Sequence, residues 1–293
     1  WLFHAVYIKL LAERMPCADA YIATWYPTAL SVWLGAPESS RKLFFVQDFP
    51  ELVREVDGAY GLRLFDAALR LPFTFLANSS YTRDLVLSRN AGARVYVSGV
   101  GVDTRVFYPR RSRMIDSEGK PVVMVIVRKA KFKGGNVAIR ALNIVNKRIP
   151  VHAVLVSEGD AVKRVFQRVK PEFSYTVYSG VNDDFLARLY SSSEVFLFTS
   201  YRESFGLPPL EAMACGTAVV TTDCGGNRDY AVDGYNALVV PPGDPEAIAR
   251  AVIRVLTDDE LRGALAERGL ETARRWTWER VVEVFDRALE NAS

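Results

Sequence analysis

The chain has 293 residues, 49% hydrophobic and 24% charged, an ordinary globular composition for a water-soluble protein with room for two cores. Its formal net charge is +3 with Lys and Arg scattered, which argues against nucleic acid and leaves anionic phosphates or a lipid surface as what a mildly basic face can meet. No stretch is long and apolar enough to span a bilayer, and three cysteines (Cys17, Cys215, Cys224) without metal-ligand spacing exclude a disulfide framework, so reduced thiols in a cytosolic protein are expected.

The opening "WLFHAVYIKLLAERMP" is apolar but interrupted by Lys9, Glu13 and Arg14. A signal peptide puts its charge before the apolar core and ends in small residues; this segment does neither and reads as an amphipathic helix. The first residue is Trp rather than Met, as expected of a fragment or a processed piece. Strands are predicted at 20–24, 42–48, 74–79 and 94–99, with helical patterns between them. The polar, Gly- and Pro-containing segment 100–121 reads as a linker. Strands then resume at 122–128, 151–157, 175–180, 195–200, 217–222 and 237–240, again alternating with helices, the last of which starts near Thr277. Apolar strand runs alternating with helices mean parallel sheets covered on both faces. The expected architecture is α/β, two doubly wound Rossmann-like domains, with ligands at the carboxyl ends of the strands. The first domain holds only about 110 residues, against the ~150 of a complete one, so its first strands are expected to be missing.

Four places concentrate chemistry. In "SYRESFGLPPLEAMACG", Glu203 lies on a strand's exit loop and Glu211 in the first turn of a helix expected to start at Pro208 or Pro209. The N–H groups of Phe205, Gly206 and Leu207 at that helix start make an anion site, and carboxylates beside it suit a ligand with both phosphate and hydroxyls. The spacing fits equally well a helix-dipole role for Glu211 and a solvated loop charge for Glu203. In "VRKAKFKGG", Arg128 ends a strand and Lys133 precedes two glycines, as a diphosphate clamp or as a basic surface loop. In "SGVNDDFLARLY", Asp183 or Asp184 can cap the following helix, and the loop at Val181 and Asn182 can hold a planar base. In "TTDCGGNRDY", Gly225 and Gly226 either admit a ligand close to the backbone or form a plain turn. His152 opens the apolar run "VHAVLV" and reads as packed rather than catalytic.

From the glutamate pair through "EAMACG" and the Gly-Gly loop, the segment beginning "TSYRESFGLPPLEAMACG" resembles the donor-binding half of the family 4, retaining, GT-B glycosyltransferases. "VRKAKFKGG" is similar to the family's Arg-x4-Lys-Gly motif, "ANSSYTRDLV" to an earlier strand and helix, and "SGVGVDTRVFYP" to its hinge stretch, with Val100 where Asn is common. The likeness runs from about Ala20 to the C terminus. It implies domains over 1–110 (acceptor side, partial) and 111–274 (donor), with a helix at 275–293 crossing back to the first.

It also implies roles. Arg128 and Lys133 would hold the donor diphosphate, together with the backbone of Phe205, Gly206 and Leu207. Glu211 and the Val181 loop would bind the nucleoside, and Glu203 and Ser204 the transferred sugar. Glu203 would also be catalytic. The donor would be a UDP- or GDP-sugar and the acceptor a saccharide or lipid-linked saccharide. Reaction would proceed by front-face attack, with no metal and no cofactor. The protein would be cytoplasmic, with peripheral contact at the inner membrane face. Where the family often has a His near the reacting sugar, this chain has Gln47 and Asp48; Gln47 cannot act as a base and Asp48 can, so Asp48 is the second catalytic candidate. The family's first Gly-rich loop is absent. The competing readings are a related epimerase or phosphorylase, and a nucleotide-sugar-binding module without catalysis because the first domain is truncated.

Overall fold

A computed structural model describes residues 2–110 and 114–292. The chain forms two compact units, one running to Gly101 and resuming at Trp278, the other Val102–Thr277.

The first unit begins with α1 (Leu2–Glu13), β1 (Ala20–Ala23), α2 (Tyr26–Gly35) and β2 (Arg41–Val46). It continues with α3 (Pro50–Leu69), β3 (Thr74–Ala77), α4 (Ser80–Leu87) and β4 (Val95–Val97). The four strands are parallel and lie in the order β1-β2-β3-β4. Side chains alternate faces along a strand. Phe44 and Phe75 accordingly turn to one side, into a cluster with Tyr26, Val32 and Phe65. Leu43 and Leu76 turn to the other, where Val284 and Ala288 cover them. Those two belong to the final helix of the chain, Trp278–Glu290. Its buried residues, Val281, Val284 and Ala288, follow the helical period, whereas Val282 is 54% exposed.

The second unit comprises β5 (Val122–Val127), α5 (Gly135–Asn146), β6 (His152–Ser157), α6 (Ala161–Phe166), β7 (Ser174–Ser179) and α7 (Asp183–Ser191). Then come β8 (Val195–Phe198), α8 (Leu207–Ala214), β9 (Ala218–Thr222), β10 (Leu238–Val240), α9 (Pro245–Thr257) and α10 (Asp259–Ala273). With the last helix numbered α11, every expected strand and helix is present, and α6 is a helix the sequence pattern did not announce. The six strands are parallel, in the order β10-β9-β8-β5-β6-β7. The chain moves outward from β5 to β7, then returns to place β8 on the opposite side of β5. The carboxyl ends of β5 and β8 therefore flank a topological switch point, where exit loops diverge and leave a crevice.

Residues 102–110, read with the first domain, join the second unit. The Val102 N–H donates to the Trp276 carbonyl (2.9 Å), Phe107 packs its ring 6.3 Å from that of Tyr190, and the Arg110 N–H donates to Ser191 Oγ (3.3 Å). The polarity of 100–121 hides Val102 and Phe107, whose burial decides the matter. The expected boundary at 110/111 abuts Arg111, Ser112 and Arg113, which lie outside the described residues.

Candidate functional site

At the switch point the loops leaving β5 and β8 are stitched together. The Tyr201 N–H donates to the Phe132 carbonyl (2.7 Å), and Thr199 Oγ1 donates to the Gly134 carbonyl (3.1 Å). This brings Lys133 to Glu203. Lys133 Nζ lies 2.8 Å from both Oε1 and Oε2 of Glu203, and Ser200 Oγ donates to Oε1 at 2.6 Å. Glu203 is 7% exposed and its backbone bridges the Gly225 segment, so it is not a solvated loop charge. An ammonium has three N–H donors. Two point at Glu203, which leaves one for a further acceptor. Arg128 follows β5, is exposed, and has no ion pair among the described residues. Its field still reaches Glu211, whose carboxyl it lowers. A cavity of about 80 Å³ is lined by Arg128, Lys133, Ser200, Glu203 and Pro208.

The helix α8 starts at Leu207, one residue before the expected prolines, with Gly206 as its N-cap. Glu211 therefore lies beyond the first turn, and the macrodipole at the helix start is not its main partner. Instead Tyr190 Oη donates to Glu211 Oε2 at 3.1 Å. Burial pushes the Glu211 carboxyl up to about 7, helped by the Asp183 carboxylate and opposed by the Tyr190 hydrogen bond and Arg128. Of the first four N–H positions of an α-helix, none has an intrahelical acceptor. Here the third and fourth are Pro208 and Pro209, which carry no N–H, so Gly206 and Leu207 supply the helix's orphan donors. Phe205, 3% exposed, turns its ring inward.

The loop after β7 holds Val181 and Asn182 against Tyr178 and Phe185 in a hollow of about 580 Å³. The cap of α7 is Asn182, not Asp183 or Asp184: its side chain accepts the Phe185 N–H at 2.9 Å. Asp184 pairs instead with Arg110 and Arg188, both at 2.9 Å. At Gly226 the room that a glycine leaves is not open to a ligand. A Cβ on Gly226 would lie 2.1 Å from the Ser204 carbonyl oxygen and 2.5 Å from the Phe205 nitrogen, so the space is filled by the chain's own Ser204–Phe205 peptide. Ser204 is half-buried behind it.

Asp48 belongs to the first unit, just after β2. Burial pushes its carboxyl up to about 6, with a further rise from the Asp57 carboxylate, while Gln47 beside it is exposed. Asp57 is tied down: Tyr26 Oη donates to Oδ2 at 2.7 Å and His4 Nε2 lies 3.2 Å from Oδ1. No motif marks this buried trio, since its members come from α1, α2 and α3. His152 is buried between Ser174 Oγ (3.2 Å) and Thr176 Oγ1 (3.0 Å). Cys215 and Cys224 are buried and Cys17 exposed. Among the described residues no cluster of His, Cys, Asp and Glu could hold a metal ion, and no helix is long and apolar enough to cross a membrane.

The family profile described as "Glycosyl transferases group 1" matches residues 111–272, more than half of the chain. A D-inositol 3-phosphate glycosyltransferase of Arthrobacter sp. is 31% identical over 251 residues, covering 80% of this chain and 58% of the relative. The chain spans about half the length of the curated relatives it matches. In fold it is similar to a sucrose-phosphate synthase from Thermosynechococcus elongatus, with a TM-score of 0.82 at 21% identity over 98% of this chain and 76% of that one. It is also similar to the Anabaena protein HepE, crystallised with UDP-glucose, with a TM-score of 0.75 at 20% identity over 98% and 80%. At such identities these two likenesses establish the fold.

Proposed function

Because the chain belongs to the group 1 glycosyl transferases, we propose that it transfers a sugar from a nucleoside-diphosphate sugar to a saccharide or lipid-linked acceptor, with retention at the anomeric carbon. The observation that carries this reading is the set of groups gathered at the β5–β8 switch point. An unpaired Arg128, the remaining donor of Lys133 and the N–H groups of Gly206 and Leu207 offer a diphosphate two cations and two dipoles. The Tyr190-held carboxylate of Glu211 offers an acceptor to paired ribose hydroxyls, and the Val181 hollow offers apolar walls to a base.

In this reading Glu203 does not act as a proton donor. It orients the Lys133 ammonium and accepts hydrogen bonds from sugar hydroxyls, with Ser204 beside it. As the anomeric C–O bond breaks, negative charge grows on the departing diphosphate. Arg128, Lys133 and the helix start are fixed donors for that charge, so the proposed hexosyl transfer runs without a metal ion. The departing phosphate takes the acceptor proton on the same face, and Asp48, its carboxyl pushed up to about 6, is the first unit's candidate group for the acceptor. The donor is a UDP- or GDP-sugar. With a lipid-linked acceptor the protein works peripherally at a membrane surface.

The test is a thermal-shift screen of UDP-, GDP-, ADP- and dTDP-sugars. One nucleotide is expected to raise the melting temperature, and Arg128→Ala or Glu211→Ala to abolish the rise. A folded sample that responds to none of them overturns the reading. Turnover unchanged by EDTA, and NMR of the product anomer, check the metal and stereochemical parts.

A further inference from the structure

The start of α8 is held from behind by a buried aromatic cluster that the donor-site reading leaves unused. Tyr230, 2% exposed, donates a hydrogen bond through Oη to the Gly206 carbonyl. Its ring centroid lies 5.3 Å from that of Phe205 and 6.1 Å from that of Trp276, and Phe205 and Trp276 are themselves 5.3 Å apart. In a trans peptide the C=O and the N–H point in opposite directions. The Gly206 carbonyl shares its peptide plane with the Leu207 N–H. Gripping that carbonyl from the buried side therefore aims the Leu207 N–H away from Tyr230.

Two further observations give this direction weight. Pro208 and Pro209 make Gly206 and Leu207 the two N–H carriers among the first four positions of the helix, so a misdirected Leu207 N–H leaves the Gly206 N–H as the one donor there. Gly206 sits at φ 83°, ψ 61°, a left-handed conformation that side-chain-bearing residues rarely adopt. A Cβ there would meet nothing closer than Tyr230 Oη at 3.5 Å. The glycine is thus required by conformation and not by space, and the freedom it brings is restrained by the Tyr230 bond. Burial pushes the Tyr230 hydroxyl far above its usual range, so it remains a donor at any working pH.

We propose that Tyr230 is a positioning residue of the donor site: it fixes the Gly206–Leu207 peptide plane so that the Leu207 N–H faces an oxyanion of the nucleoside diphosphate. This rests on the nucleotide-sugar reading above. Tyr230→Phe keeps the ring and removes the bond. Titration calorimetry would compare UDP and GDP with uridine and guanosine on the full chain. The Kd of whichever diphosphate the wild type binds is expected to rise about tenfold in Y230F, while that of its phosphate-free nucleoside moves less than about twofold. Trp276→Phe, which keeps a ring in the cluster and leaves the Tyr230 hydroxyl in place, is expected to leave both within about twofold.

A Tyr230 that merely supports the fold would lower the melting temperature of Y230F and leave the ratio of the two affinities unmoved, which overturns the inference. Hydrogen exchange of the Leu207 amide in the wild type keeps the test open even if Y230F does not fold. Slowing by the bound diphosphate supports the proposal, and unchanged exchange overturns it. If none of UDP, GDP, ADP or dTDP binds the wild type, the nucleotide-sugar reading itself falls and this inference with it. Equal diphosphate binding by wild type and Y230F overturns this inference alone.

Discussion

In the first unit four parallel strands lie in chain order, β1-β2-β3-β4; in the second, six lie as β10-β9-β8-β5-β6-β7. Both units have strands buried on both faces and helices covering them, so their cores obey the same physics. They differ in where the chain reverses. In the second unit the return from β7 to β8 splits the exit loops of β5 and β8, and Arg128, Lys133, Ser200 and Glu203 line the resulting cavity. Among the described strands of the first unit no such reversal occurs. Its polar groups, His4, Tyr26, Asp57 and Asp48, instead gather between helices and beside one strand end. Strand order, more than strand content, separates the unit with a crevice at its strand ends from the one without.

The largest test of this contrast is Arg128→Ala. If Arg128 faces the leaving group as proposed, its loss is expected to cut turnover by about 10²–10³-fold, with little effect on the melting of the ligand-free protein because the side chain is exposed. A comparable loss of stability would instead make Arg128 structural.

Asp48→Asn probes the first unit and is expected to cost about 10²-fold in turnover while leaving the nucleotide-induced thermal shift intact. Its carboxyl titrates near 6 in the folded protein against an ordinary 3.8. The protonated form is favoured on folding. That stability is full below about 3.8 and is lost as pH rises through about 6. D48N should therefore raise the melting temperature at pH 7.5 more than at pH 5. A variant as active as the wild type removes Asp48 from the chemistry.

Glu203→Gln weakens the grip on Lys133 and removes a negative charge beside the anion site. Turnover is expected to fall about tenfold, while nucleoside-diphosphate affinity holds or tightens. Affinity and turnover falling together would mean that Glu203 serves the fold of the loop instead.

The smallest effect belongs to Glu211→Gln. The Glu211 carboxyl titrates near 7 against an ordinary 4.5. Its stabilising contribution is full below about 4.5 and fades as pH rises through about 7, so E211Q should melt a few degrees higher than the wild type at pH 8 and nearly level with it at pH 5. A carboxylate accepts from ribose hydroxyls better than its acid. The wild type should therefore gain nucleotide affinity between pH 6 and 8, by a margin that E211Q lacks.

Much of the fold could be read from the chain before any coordinates, because its signals are local. "VVMVIV" and "VFLF" announce buried parallel strands, and "PEAIARAVIRVL" repeats its apolar residues at the helical period. The helix start at Leu207 and the cap at Asn182 were each missed by one residue. Several residue types there satisfy the same local rule, and the backbone chose among them. The segment 102–110 was misplaced because its overall polarity masked two apolar anchors, Val102 and Phe107.

The candidate site divides along the same line. Residue types and spacing made Arg128, Lys133, Glu203 and Glu211 candidates, since anion binding demands cations, free N–H groups and nearby hydroxyl acceptors at strand ends, and the family resemblance gave them roles. Which of them touch was settled by chain segments far apart in sequence. Lys133 meets Glu203 across 70 residues, Glu211 is held by Tyr190 across 21, and Gly206 by Tyr230 across 24. The room at Gly226 is taken by the Ser204–Phe205 peptide. Such contacts depend on which edge of β5 receives β8, and a periodicity within one segment carries no information about that choice. Composition and pattern specify what each segment can become, and only the assembled sheet decides which side chains share a charge.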